Sequence, residues 1–160
     1  MRWDDLFADL EGQARALAAE EEQAEVEDRI RGETAQIALV NRLRAAAGKD
    51  VAVTLVGGTS LTGLVRRVGP DFVLVESTEQ GTAGAVDHMV LTAAVLAWAD
   101  LGPAAVSPES VGTVESRLGL SAALRGVAAD RSRVTLLLRD GSGRHGTVAR
   151  VGRDWLDLAV

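Results

Sequence analysis

The sequence predicts a mainly β protein with added helix: a long N-terminal helical segment, then two copies of a small β-barrel unit, the second incomplete. Two observations carry this fold class. Residues 51–75 and 134–158 align at a constant spacing of 83 with no gap, and nine of the 25 positions are identical. These are Val51/Val134, Leu55/Leu138, Gly58/Gly141, Gly63/Gly146, Val65/Val148, Arg67/Arg150, Val68/Val151, Gly69/Gly152 and Asp71/Asp154. Ahead of both copies, residues 3–47 contain no proline and are rich in Ala, Glu, Arg, Leu and Gln, which are good helix formers. The expected division is a helical segment over 1–48, a first barrel over 49–101, a linker over 102–119, and a helix with a partial second barrel over 120–160.

In the helical segment, Asp4 and Asp5 can cap or complement the positive N-terminal end. Trp3, Leu6, Leu10 and Leu17 approximate one apolar stripe, and Val26, Ile30, Ile37 and Val40 approximate another. Between them, AAEEEQAE holds almost no large apolar residue. Gly32 is a weak point worth about 1 kcal/mol relative to Ala. The pattern fits one long helix or two segments with a kink. It also fits self-association, although a sustained heptad is missing.

The first β unit starts with Val51, Val53 and Leu55 alternating with Ala52 and Thr54, as in a half-buried strand. Gly57-Gly58 reads as a tight hairpin turn. Leu61, Gly63 and Val65 continue the alternation in a second strand. A turn at 68–71 leads to a third strand over 72–75. Residues 76–87 read as a loop, 88–92 as a short fourth strand, Ala93-Ala94 as a brief turn and 95–99 as a fifth strand. Gly63 in mid-strand suits sharp coiling, where a side chain would obstruct closure of a small barrel.

The linker holds Pro103, Pro108 and several glycines. Residues 121–130 read as a short helix with Ser121 as its N-cap. Leu124-Arg125-Gly126 before the second unit parallels Leu43-Arg44-Ala45 before the first, so the repeating element is helix plus barrel. Asp140-Gly141 is a type I′ hairpin signal. Val160 corresponds to Ser77, so nothing matches the fourth and fifth strands of the first copy. A three-stranded remnant exposes an apolar edge. The expectation is that further polypeptide or another chain completes this second unit.

The pattern in VAVTLVGGTSLTGLVRRVGPDFVLV resembles the Sm-like fold of the bacterial RNA chaperone Hfq and of archaeal Sm-like proteins. It has an alternating apolar strand, a turn glycine, a central glycine in the second strand and D-F-V-x-L in the third. HMVLTAAVLAW resembles their fourth strand, short turn and fifth strand. Other SH3-like modules share this barrel. The resemblance covers about 50 residues of the first copy and about 27 of the second, and fold does not fix function. The whole chain also resembles an actinobacterial family whose members carry the same helix and two such units and run on further. For some members the resemblance implies transcriptional regulation, but no helix-turn-helix pattern is visible in this sequence.

That resemblance does not carry RNA-binding residues onto this chain. Sm-like proteins use an Asp and Asn near the third strand, or a Lys-His pair between the fourth and fifth. Here the third strand reads Asp71-Phe72-Val73-Leu74-Val75, without Asn, and the later turn reads Leu91-Thr92-Ala93-Ala94, without Lys or His. Asp71 and Asp154 read as turn formers after a glycine.

Composition narrows the class further. Hydrophobic residues make up 47% and charged residues 25%, as in ordinary globular chains. There is no cysteine, hence no disulfide framework, thiolate nucleophile or Cys-ligated zinc. The longest stretch free of Asp, Glu, Lys and Arg, residues 51–65, is too short to span a bilayer. The acidic start MRWDDLFADLE lacks the apolar core of a signal peptide, so a cytoplasmic location is expected. The net charge of −6 is uneven: residues 1–28 hold ten acids and two arginines. That block opposes generic affinity for phosphate backbones.

No catalytic constellation, metal set or cofactor motif is legible. His88 and His145 are not at matching positions and have no fixed acidic partner. There is no G-x-S-x-G elbow, and the glycine pairs lack the strand-to-helix context of a phosphate loop. One basic group stands out in the second unit: Arg131, Arg133, Arg139, Arg144, Arg150 and Arg153. Strand alternation puts Arg133, Arg139 and Arg150 outside, while Arg144 replaces Leu61. These side chains suit a nucleic-acid or acidic-partner patch, or a solvated surface docking the chain's own acids. Aromatic residues for base stacking are scarce. The expected function is therefore a non-enzymatic protein-interaction or scaffolding module, self-associating or binding a protein partner through the helix and barrel edges. The alternative is a nucleic-acid-binding regulator using the arginines.

Overall fold

The structure, a computed structural model, describes residues 3–78, 84–107 and 118–160, without the side chains of 3–6 and 8. The stripe and capping roles expected of Trp3, Asp4, Asp5 and Leu6, the loop glycine Gly81 and the linker residue Pro108 lie outside these. The chain forms two compact units, Met1–Ile37 and Ala38–Val160. Among the described residues the architecture is mixed α and β: a long N-terminal helix, two shorter α-helices and two antiparallel sheets.

Helix α1 (Trp3–Ala35) is a single element, and Gly32 stays helical within it. Its described side chains are all exposed, including Leu10, Leu17, Val26 and Ile30. Pairs one turn apart line it: Gln13 with Asp9, Arg15 with Glu11 and Arg31 with Asp28. Exposed pairs of this kind each add a few tenths of a kcal/mol, about 0.2–0.5.

The helical segment expected over 3–47 is broken, but not at Gly32. Residues 36–38 leave the helix, and α2 (Leu39–Ala45) begins afresh from Ala38 in an extended conformation. The reason lies in packing. Leu43 is 1% exposed and Ala46 is fully buried, both in the core under the first sheet. Helix α2 therefore belongs with the sheet that follows, and the boundary falls at 37/38 rather than at 48.

The first sheet contains β1 (Asp50–Leu55), β2 (Ser60–Val68), β3 (Phe72–Thr78), β4 (Ala85–Leu91) and β5 (Val95–Ala99), in the order β4-β3-β2-β1-β5. A single 3-10 turn, Thr92–Ala94, joins β4 to β5. Strands β3 and β4 are longer than the sequence suggests. Their mutual register extends to Thr78↔Ala85 and takes in residues expected to be loop. Val51, Val53, Val65, Val68, Val73, Val75 and Val90 point into one core with Leu43 and Leu101. The register of β2 on β3 shifts between Val65 and Arg67. This bulge lets Val65 and Val68, three positions apart, both face inward.

The second sheet, β6 (Arg133–Leu137), β7 (Gly143–Val151) and β8 (Leu156–Ala159), follows α3 (Leu120–Asp130). Its registers reproduce those of β1–β3 at a spacing of 83: Val51↔Gly63 matches Val134↔Gly146, and Val65↔Val75 matches Val148↔Leu158. The bulge recurs between Val148 and Arg150. Gly63 and Gly146 occupy the same kind of place. A Cβ there would run into the carbonyl oxygen of Glu76 or Ala159 respectively, so the strands cross too closely for any side chain.

Neither sheet closes into a barrel, which corrects the expectation of a barrel in the first unit; the second was expected to be incomplete. Strands β4 and β5 are the two edges of the first sheet, and β6 and β8 those of the second. No register joins β4 to β5, although the short turn Thr92–Ala94 keeps their adjoining ends close, and none joins β6 to β8. The Asp140-Gly141 turn is also not type I′. Leu138 donates to Ser142 and Gly141 donates to Leu138, closing a three-residue loop, and only Gly141 of the loop has positive φ, at 82°.

Ser121 is not the cap of α3. The N-cap is Gly119, which has no side chain to offer, and the helix starts at Leu120. The first amide is satisfied from elsewhere: Leu120 N–H donates to Asp71 Oδ1 at 2.8 Å. Ser121 Oγ instead donates to the Arg153 carbonyl at 3.4 Å.

Candidate functional site

The six arginines of the second unit are all exposed, but they do not converge. Arg131 is the left-handed C-cap of α3, with φ of 52°. Arg139 sits at the tip of the β6–β7 hairpin and Arg153 in the β7–β8 turn. Arg133 pairs with Thr147 and Arg144 with Leu136. Alternation therefore puts Arg144 on the face of Val134 and Leu136, and Arg133 on the opposite face. Arg150 joins Arg133 on that outer face, but it is already engaged: Nε donates to Asp157 Oδ2 at 2.7 Å, and the guanidinium lies 5.9 Å from the Trp155 ring centroid. The outer face carries a shallow depression lined by Arg133, Thr135, His145, Thr147 and Ala159.

Both histidines serve their own sheets. His88 Nε2 shares a 2.7 Å hydrogen bond with Ser77 Oγ, and His145 Nδ1 shares a 2.9 Å bond with Thr135 Oγ1. Among the described residues, no cluster of three or more His, Cys, Asp or Glu could hold a metal ion. No described helix is long and apolar enough to cross a membrane. Asp140 has a shifted acidity. Ser142 donates to it through Oγ at 2.7 Å and through its backbone N–H at 2.9 Å, which holds its pKa below the usual Asp value.

The feature that sets the two units apart is the turn between their second and third strands. In the first unit, Gly69, Asp71 and Phe72 form a seat. The ring of Phe72 lies where a Cβ on Gly69 would be, and Gly69 N–H donates to the Phe72 carbonyl at 2.8 Å. Residues Leu118 and Gly119 lie on this seat. A Cβ on Gly69 would be 3.1 Å from the Leu118 carbonyl, and one on Gly119 would be 3.6 Å from the Asp71 carboxylate. Phe72 is 3% exposed.

In the second unit, Gly152, Asp154 and Trp155 repeat the geometry. The Trp155 ring fills the Cβ position of Gly152, and Gly152 N–H donates to the Trp155 carbonyl at 2.9 Å. But Trp155 is 53% exposed, and the Asp154 carboxylate has no partner among the described residues. Among the described residues the seat is thus filled in the first unit, while in the second only Ser121 Oγ reaches the turn, at the Arg153 carbonyl, and Trp155 and the Asp154 carboxylate stay uncovered. The sequence contained the signal: Gly69/Gly152, Asp71/Asp154 and Phe72/Trp155 are aligned pairs. What it did not show was that Leu118–Leu120, distant along the chain, would cover the first turn and not the second.

Comparison with protein-family models, with curated proteins and with solved structures finds no match to this chain.

Proposed function

We propose that this chain is a non-catalytic protein-interaction or scaffolding module built on Sm-like units. The observation that carries the reading is the state of the second unit. Among the described residues its sheet has three strands, β6 and β8 pair with nothing on their outer edges, and Leu137, Leu138 and Trp155 are exposed. Edges and apolar patches of this kind are what a partner chain covers. The Sm-like reading draws support from the strand order β4-β3-β2-β1-β5, preceded by a helix and carrying the close-packed Gly63 in its second strand.

A second reading, a nucleic-acid-binding regulator, is favoured by one observation. Five of the six arginines have no carboxylate partner among the described residues, Arg150 being the exception. Their dispersal over both faces, the hairpin tip and a helix cap weighs against a single phosphate track. The test is fluorescence anisotropy with mixed single-stranded RNA and duplex DNA at low and physiological salt. The expected result is no binding at either salt. Tight binding that falls steeply with salt, and that is lost when Arg133, Arg139 and Arg150 are changed to Ala, overturns the interaction reading.

A further inference from the structure

We propose that copies of this chain associate head to tail, with Ala38 and Leu39 of one copy seating on the Gly152, Asp154 and Trp155 turn of the next. The proposal rests on the interaction reading above and names the partner as a second copy of the chain.

The template is in the molecule itself. The equivalent turn of the first unit is already covered by Leu118, Gly119 and Leu120, with Asp71 accepting the Leu120 amide hydrogen. A segment that fills the second seat must therefore present an extended residue and then an uncapped helical amide, flanked by apolar side chains.

The chain has such a segment, and it is unused. At a spacing of 81, Ile37, Ala38 and Leu39 correspond to Leu118, Gly119 and Leu120, and Leu43-Arg44 to Leu124-Arg125. Ala38 has φ −72° and ψ 143°, and Gly119 has φ −78° and ψ 170°, both extended and both leading directly into a helix. Neither supplies a side-chain cap. Ala38 carries a Cβ where Gly119 has none, and the seat accepts it: a Cβ on Gly119 would meet the Asp71 carboxylate at 3.6 Å, ordinary van der Waals contact. Leu39 is 47% exposed and Trp155 53% exposed, so both halves of the contact are open in the single chain.

The contact is heterologous, because the donor segment and the seat are different surfaces. Each added copy leaves one donor and one seat free, so the association propagates beyond a dimer unless it closes into a ring. The interface is small, and small interfaces are weak. It therefore calls for measurement up to high protein concentration.

The test is sedimentation velocity on the full chain from dilute to millimolar concentration, with two variants placed at exposed positions. Asp154→Arg sets a cation against a helix start. Leu39→Asp keeps an acid-compatible first helical turn but repels Asp154. The wild type is expected to form species of two or more times the 16.8 kDa chain as concentration rises. Each variant alone is expected to lose that association. An equimolar mixture of the two joins the intact seat of the Leu39→Asp chain to the intact donor of the Asp154→Arg chain. It is expected to give dimers and nothing larger. A wild type that stays monomeric throughout overturns the proposal. Association that persists in both variants also overturns it, while leaving the interaction reading standing through another surface. Salt-steep nucleic-acid binding in the anisotropy experiment would instead remove the interaction reading itself.

Discussion

Asp71 accepts a hydrogen bond from the amide of Leu120, 49 residues further along, at 2.8 Å. A carboxylate in the turn between β2 and β3 thereby caps the helix that precedes the second sheet. The same residue also accepts through its backbone carbonyl from Thr92 N–H and from Thr92 Oγ1, each at 3.1 Å. One aspartate thus ties the turn to the end of β4 and to the start of α3.

Replacing Asp71 with Ala removes that cap. Loss of a capping oxygen costs about 1 kcal/mol, within a range of about 0.5–2. Asp71→Asn retains an acceptor and is expected to lose less than half as much. Urea denaturation of the two variants beside the wild type measures the difference.

Gly63→Ala is expected to destabilise by about 3 kcal/mol, the upper end for overpacking, because the new methyl meets backbone rather than a movable side chain. Gly146→Ala drives a methyl into the Ala159 carbonyl in the same way. Equal losses of midpoint in denaturation would show that the two strand crossings are under the same constraint. A neutral Gly63→Ala would contradict the close approach of β2 and β3.

Gly32→Ala has the opposite sign. Nothing lies within 4 Å of the position a Cβ would take, and the residue is in the interior of α1. The helix gains about 1 kcal/mol of local stability. Greater helical ellipticity that melts at higher temperature is the expected readout in far-UV circular dichroism.

Leu43→Ala separates core from surface. Leu43 is 1% exposed, and its truncation is expected to cost about 2–5 kcal/mol. Leu137→Ala, at 46% exposure, removes side-chain area that water already reaches and is expected to cost under about 1 kcal/mol. Similar losses from both would mean that α2 does not belong to the core of the first sheet.

The pH dependence of the β6–β7 turn follows from Asp140. The Ser142 hydroxyl, and then its backbone N–H, favour the charged carboxylate and lower its pKa on folding. The stabilisation is therefore fully present above the unfolded Asp value of 3.8 and is lost as pH falls through the lower, folded value. Carbon-13 NMR titration of the carboxyl should show Asp140 titrating below the ordinary Asp value. Ser142→Ala should bring it back toward that value.

Much of the fold was legible because it is local. The alternation in residues 51–55, the turn glycines and the mid-strand Gly63 all report contacts within a strand or hairpin. The 83-residue spacing then carried the same reading to 134–158, where the registers agree pair for pair. What was misread depends on distant partners. The break at 36–38 has no glycine or proline to announce it, since it arises where Leu43 and Ala46 turn onto the sheet. Ser121 looked like a cap because a serine near a helix start usually is one, whereas the actual acceptor, Asp71, lies in another strand turn. Strand alternation already set Arg144 apart from Arg133 and Arg150 in the sequence, and the register agrees, with Arg133 opposite Thr147 and Arg144 opposite Leu136. The open seat at Trp155 could be seen only beside its covered counterpart at Phe72.

The pairing of β1 with β5 carries a kinetic consequence. Every other neighbour in both sheets is also a neighbour in sequence, but Ala52 must find Ala99 across three intervening strands. That is the one pairing that must close a long loop, and its entropy cost falls due before any of its contacts form. The first sheet is complete only once β5 has been made and has found β1, whereas each pairing of the second can form as its hairpin emerges.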